Sequence, residues 1–231
     1  MTTRYLSLRL CSDATFGRGD GIPGLVDIEI DHDANGCPQV GGRVLKGLLR
    51  EELNNIRYAL SAAWEPWQLA AEWLFGRTGA LHDGAAQMRV GAARLPPSLH
   101  AELVAAVNKK TLRSEDVLLA LTDIRRQTAV DARTGAPETG SLRAMRVLLR
   151  ETQLLAPLTF YGEPPPLALP LLAACTLGVR RGGSVRNRGR GRLALLLHEQ
   201  EPDDYTNASY TRSLFEQFRE TIGVAQPAGG R

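Results

Sequence analysis

Residues 178–192 read GVRRGGSVRNRGRGR, and they stand between two strongly apolar segments, Leu167–Leu177 and Leu193–His198. No other stretch constrains the fold as much. A glycine- and arginine-rich run with free ends is a solvated linker. This run has both ends anchored in apolar chain, so it is a loop joining a buried helix to a buried strand. Pro164–Pro166 open that helix by placing proline in its first turn. Glycine lets a backbone approach an anion closely and adopt positive φ, and successive N–H groups then form an anion nest. Arg180, Arg181, Arg186, Arg188, Arg190 and Arg192 add charge and bidentate hydrogen bonds, interleaved with Gly182, Gly183 and Gly189. The loop is therefore a candidate polyanion site. GxxxxGK[ST] does not occur and Ser184 is not preceded by lysine, which argues against a nucleotide-binding P-loop.

The rest of the chain reads as alternating elements. Arg4–Ser12 and Leu25–Ile30 show the period-2 pattern of half-buried strands. In the second, Leu25, Asp27 and Glu29 fall on one face and Val26, Ile28 and Ile30 on the other. Asp13–Gly24 and Asp31–Gly42 carry loop and turn residues. Arg43–Trp73 has helical apolar spacing, which Pro66 divides. Gln87–Leu95 reads as a strand ended by Pro96 and Pro97, and Ser98–Asn108 as a short helix. Lys109–Val147 is polar and irregular, a protruding hairpin or loop. A strand lies within Val147–Phe160, and Ser209–Ile222 is an amphipathic helix followed by a frayed tail, 223–231. The order approximates βαββαβ. The fold class expected is α+β, a ferredoxin-like or RRM-like core with a hairpin insertion at about 109–147, in one domain spanning 1–231.

Composition sharpens this only in places. The 231 residues are 43% hydrophobic and 23% charged, which suits a globular core. Net charge is only +3, but Lys46, Lys109 and Lys110 are the only lysines, so the positive charge is nearly all arginine. Arginine's planar fork suits phosphates and base stacking, although biased genomic composition accounts for it equally well. Cys11, Cys37 and Cys175 show no CxxC pairing and no metal-ligand spacing, as expected of reduced thiols. No apolar run is long enough to cross a bilayer, so a soluble, cytoplasmic protein is expected.

A second cationic segment is Gly41–Arg50, GGRVLKGLLR. Arg43, Lys46 and Arg50 recur at helical spacing behind a glycine turn, and helix N-termini attract anions. By itself, that pattern is more often an ordinary solvated helix face.

With these segments in view, the sequence resembles the RAMP superfamily of CRISPR-associated proteins, in particular the repeated backbone subunit of type III effector complexes. The features that carry the resemblance are a first strand leading into a loop with Gly17, Gly19 and Gly21, and the pattern Gly-x-x-Leu-Lys-Gly-x-x-Arg over Gly42–Arg50. Leu74–Gly76 with the strand after it, the stretch Arg126–Arg143 resembling a thumb hairpin, and the glycine-rich loop near the C-terminus complete it. The resemblance implies a subunit that polymerises along a CRISPR RNA (crRNA) guide, beside other copies of itself and other effector subunits. Its thumb would insert into the guide–target duplex, placing Arg125, Arg126 and Arg133 near the RNA backbone.

The resemblance also implies cleavage of the complementary target RNA, promoted by an acid ahead of the LKG helix together with Mg2+ or Mn2+. Asp27 matches that position and is the candidate catalytic acid and metal ligand; Asp31 is the second candidate. One carboxylate suffices for a magnesium ion that keeps its waters. Two alternatives stay open. One is the same scaffold without catalysis. The other is a metal-independent endoribonuclease that processes crRNA precursors, for which His32 is the only early histidine.

Overall fold

The computed structural model describes residues 1–77, 84–129, 131, 133–136, 138, 140–186 and 189–225. The elements are β1 (Thr2–Leu10), α1 (Gly42–Leu60), a 3₁₀ segment (Ser61–Trp67), α2 (Gln68–Phe75), β2 (Met88–Val90), α3 (Pro97–Asn108) and α4 (Ser114–Leu121). Then follow β3 (Thr122–Gln127), β4 (Arg143–Leu148), β5 (Gln153–Phe160), α5 (Ala168–Gly178), β6 (Leu193–His198) and α6 (Ser209–Ala225).

β1 lies inside a four-stranded sheet of order β2-β5-β1-β6 with antiparallel neighbours. Its pattern explains its place. Leu6, Leu8 and Leu10 are buried on one face, and Ser7 is buried on the other, donating its hydroxyl to the Tyr205 carbonyl. Strands β1, β2, β5 and β6, with α1–α2 and α5 as crossovers, make the βαββαβ plan of a ferredoxin-like fold. The class is α+β, as expected.

Helix α5, ALPLLAACTLG, is apolar on every side and has no polar face to turn to water. It accordingly packs among α1, α2, α6 and β6. Its one buried hydroxyl, on Thr176, donates to the Leu172 carbonyl one turn back. Pro66 lies inside the 3₁₀ segment that separates α1 from α2, because proline has no N–H for an α-helical bond. Among the described residues, no helix is long and apolar enough to cross a membrane.

Two expectations change. Leu25–Ile30 is not a strand. Val26 folds back on Ile22 through paired backbone hydrogen bonds, and the chain then runs beside β4, where Asp27 N–H donates to Ala144 and Arg146 N–H to Ile28. The alternation fails at its polar positions. Asp27 is exposed, but Glu29 is 0% exposed because its carboxylate accepts from Arg146 Nε at 2.8 and 3.0 Å. Gln87–Leu95 also shortens, to Met88–Val90. Beyond it the regular ladder is interrupted where Gly91 passes so close to Pro157 that an added Cβ would sit 2.7 Å from the proline ring, and pairing with β5 resumes at Arg94, which bridges Leu155.

The segment 109–147 holds α4 and then a hairpin whose strands, β3 and β4, pair with each other and not with the main sheet. The hairpin is rooted at its base, where Met145, Val147 and Leu148 are buried and Ala14 bridges Leu148. Its described tip residues, among them Arg133, Thr134 and Gly135, are exposed.

Removing one partner of a buried ion pair strands the other charge, at a cost of about 3–5 kcal/mol. Glu29→Gln and Arg146→Met are each expected to destabilise the chain by that order in urea titration. Losses near zero would show that the pair does not hold the hairpin.

Candidate nucleic-acid interface

The glycine-rich loop is zipped at its neck. Gly182 N–H donates to the Gly191 carbonyl at 2.9 Å, Leu193 N–H to Arg180 at 3.1 Å, and Arg181 bridges Arg192 across the stem. Beyond the neck the loop lies on the chain that follows β1, with Ser184 N–H on the Thr15 carbonyl at 2.8 Å. Packing explains several of its glycines. A Cβ at Gly182 would lie 2.9 Å from both Leu48 and Leu193. Gly183 has φ +84° and a Cβ there would lie 2.5 Å from the Thr15 carbonyl oxygen, so only glycine fits. These two glycines approach the protein's own core, not a ligand. Gly189, at φ +80°, has nothing within 4 Å and keeps open space before it.

The loop arginines divide. Arg186 makes a bidentate pair with Glu51 of α1, 3.0 Å on each arm, and its hydrogen bonds hold that carboxyl below its ordinary range. Arg181 donates to the Arg186 carbonyl at 2.6 Å. Arg190 reaches the Met145 sulfur at the hairpin base, 3.2 Å away. Arg180 and Arg192 are exposed and, among the described residues, their guanidinium groups have no hydrogen-bond or ion-pair partner. Arg188 lies outside the described residues.

On the hairpin, Arg125 is engaged by Asp13 at 2.9 Å and Asp123 at 2.8 Å. Its hydrogen bonds to the Asp13 carboxylate raise its pKa further above the ordinary value. Arg125 thus braces β3 against the chain after β1. Arg126 and Arg133 are exposed, as is Arg143, a residue that sequence reasoning did not select as a site. Between hairpin and loop lies a cleft of about 520 Å³, lined by Gln127, Thr128, Glu138, Ser141, Arg143 and Val185.

The cationic face of α1 does not act as one unit. Lys46 donates to the Met88 carbonyl at 2.8 Å, which fastens α1 to β2. Burial, aided by Arg50, lowers its pKa. Arg50 reaches the Gly76 carbonyl at 3.3 Å, and Arg43 is exposed at the helix start.

The acids also separate. Asp27 is exposed, and one carboxylate oxygen accepts from Ala144 N–H at 2.7 Å, next to the cleft-lining Arg143. Its other oxygen has no hydrogen-bond partner among the described residues. That fits a single-carboxylate ligand for a hydrated hard cation. Asp31 instead accepts from Gln39 Nε2 at 3.0 Å, and Gln39 in turn accepts from Arg94. Asp27 and Asp31 thus have different hydrogen-bond partners among the described residues.

Glu29 and Arg146 escaped sequence reading because residues so far apart leave no local pattern. The same holds for Asp33, Cys37 and His100, which the fold brings together although the cysteine spacings show no metal motif.

No family model matches this chain, and no curated protein matches it. Solved structures do. One is a chain of the Type III-B Cmr-beta complex bound to cognate target RNA, with a TM-score of 0.59 and 12% identity, covering 85% of this chain and 97% of that one. Another is from the apo state of Type III-B Cmr-beta, also at TM-score 0.59 and 12% identity, covering 88% of this chain and 98% of that one. At that identity, what is shared is the fold.

Binding through unpaired arginines is dominated by phosphates and weakens steeply with salt. Arg180→Ala and Arg192→Ala are each expected to weaken single-stranded RNA binding several-fold. Each should also lower the slope of log affinity against log salt by about 1. Filter binding across a salt series checks this, and unchanged slopes would remove both residues from the interface.

Proposed function

We propose that this chain is an RNA-binding backbone subunit of a type III CRISPR effector complex. It holds crRNA along its phosphate backbone and cuts complementary target RNA. The observation that supports this reading is a cleft lined by the hairpin and by Val185 of the glycine-rich loop, with Asp27 held by Ala144 next to the cleft-lining Arg143. The fold shared with the Cmr-beta chains supports it. Arg43, Arg126, Arg133, Arg180 and Arg192 are exposed cations suited to phosphates. Arg186 joins them where a phosphate displaces Glu51, because an exposed ion pair is weakly held. The partners are crRNA, target RNA, further copies of the chain and other effector subunits, in the cytoplasm.

In this reading Asp27 is the catalytic acid and the ligand for Mg2+ or Mn2+. The ion, when bound, stabilises negative charge on the phosphate. Asp27, pinned through Ala144, orients a ribose 2′-hydroxyl in line with the adjacent phosphate. The 2′-oxygen–phosphorus bond forms and the phosphorus–5′-oxygen bond breaks. The 2′-hydroxyl proton leaves toward solvent, and the 5′-oxygen takes a proton from water. The products carry a 2′,3′-cyclic phosphate and a 5′-hydroxyl.

A second reading, the scaffold without catalysis, draws on the absence of any other acid sharing a partner with Asp27 among the described residues. The metal-independent processing enzyme has less behind it. His32 Nδ1 lies 3.0 Å from the Asp33 backbone carbonyl, and no titratable side chain bonds it among the described residues.

Complexes reconstituted on crRNA with Asp27→Ala are expected to bind target RNA as the parent does and to cut it at least 100-fold more slowly. Asp31→Ala should cut at the parent rate, because its carboxylate serves Gln39. Cutting at every site by the Asp27→Ala complex would remove Asp27 from catalysis. A parent complex that binds target but does not cut it in Mg2+ or Mn2+ would establish the scaffold reading instead.

A further inference from the structure

The turn after Asp31 folds tightly. Asp33 N–H donates to the Cys37 carbonyl at 3.0 Å, and Gly36 N–H to Asp33 at 3.1 Å. Gly36 is pressed against the Ser114 carbonyl at the start of α4, with no room for a Cβ. The Asp33 Oδ1 atom accepts from the N–H groups of Asn35 at 2.9 Å and Cys37 at 3.0 Å, so the carboxylate cannot rotate freely. Its Oδ2 points at His100 Nε2, 2.8 Å away on α3. Burial raises the Asp33 pKa, but the bonds from His100, Cys37 and Asn35 outweigh it and leave the carboxyl below its ordinary range.

The third member is Cys37, 2% exposed. Its sulfur, the Asp33 oxygen and a His100 ring nitrogen all lie within 4.8 Å of one another. No hydrogen bond engages Cys37 Sγ among the described residues. A histidine–aspartate pair accounts for the 2.8 Å contact, but it does not account for an unengaged thiol converging on the same point. Burial, with Asp33 beside it, pushes that thiol up to about 11, so without a cation it stays protonated. A second observation concerns α3, which carries no buried side chain and packs only through partly buried residues such as Leu103 and Val107. The helix therefore gains from an anchor at His100.

We propose that Asp33, Cys37 and His100 form a zinc(II) site with three protein ligands and a fourth position for water. One sulfur, one nitrogen and one oxygen donor suit this borderline-soft ion and not magnesium or manganese, which take oxygen donors. Tetrahedral bonds of about 2.0–2.3 Å set the donor atoms roughly 3.3–3.7 Å apart. Closing the site thus moves Asp33 and His100 apart by about half an ångström, and the proton between them leaves. Cys37 loses its thiol proton as well, so binding weakens as pH falls. The ion clamps the turn 33–37 to α3, apart from the hard-cation chemistry assigned to Asp27.

Titration of the full-length chain with cobalt(II) tests this. One equivalent should bind and give visible d–d bands with a near-ultraviolet thiolate-to-cobalt band, and zinc(II) should displace it. Cys37→Ser should abolish the thiolate band, and His100→Gln should weaken cobalt binding at least tenfold. Cys11→Ser, at an exposed thiol, should change neither. A parent chain that binds no cobalt, or a thiolate band that persists in Cys37→Ser, would overturn the proposal. Should Cys37→Ser fail to fold, His100→Gln decides, because unchanged cobalt affinity in that variant contradicts the site.

Discussion

A carboxylate with no solvent exposure persists only beside a cation, and Glu29 has Arg146, itself 4% exposed. The candidate site depends on this pair. Glu29 belongs to the chain between β1 and α1, while Arg146 belongs to β4 and also donates to Thr122 on β3 at 3.2 Å. One guanidinium therefore ties three segments together. It presses the Asp27 stretch onto the hairpin, where Asp27 can grip Ala144. It also seats Met145, against which Arg190 of the glycine-rich loop rests. The ion pair says little about net stability, since apolar residues of equal volume often do as well. It does specify which segments meet.

In a chain of net charge +3, the arginines divide by what they touch. Some are committed to the fold. Arg125 braces the hairpin through Asp13, and Arg146 is buried. Others, including Arg126, Arg143, Arg180 and Arg192, are exposed, and Arg143 lines the cleft beside the hairpin. The distinction lies in tertiary pairing and not in residue type. The loop glycines divide in the same way: Gly182 and Gly183 admit the core and Thr15, whereas Gly189 faces open space.

Much of the fold was legible because period and burial agree. β1, α5 and β6 lie within a residue or two of where hydrophobic spacing puts them, since each packs a continuous apolar face. Leu25–Ile30 misled because its alternation reflects two different partners, solvent for Asp27 and Arg146 for Glu29. Period alone does not separate a solvated acid from a buried one. The site was legible in outline only. The loop stood out by composition, but Lys46 on a backbone carbonyl and Arg125 between two aspartates required tertiary structure. Cys37 looked inert for the same reason, because its neighbour His100 is a helix away in sequence.

The central claim is that the cleft between hairpin and loop carries RNA, with Asp27 at its root. A cryo-EM map of the chain assembled on a guide RNA and its complementary target tests that most directly. Guide phosphates are expected against Arg180 and Arg192, and a target phosphate beside the free carboxylate oxygen of Asp27. RNA lying elsewhere, for example across the sheet face that bears Ser7, with Asp27 turned to empty solvent, would contradict it.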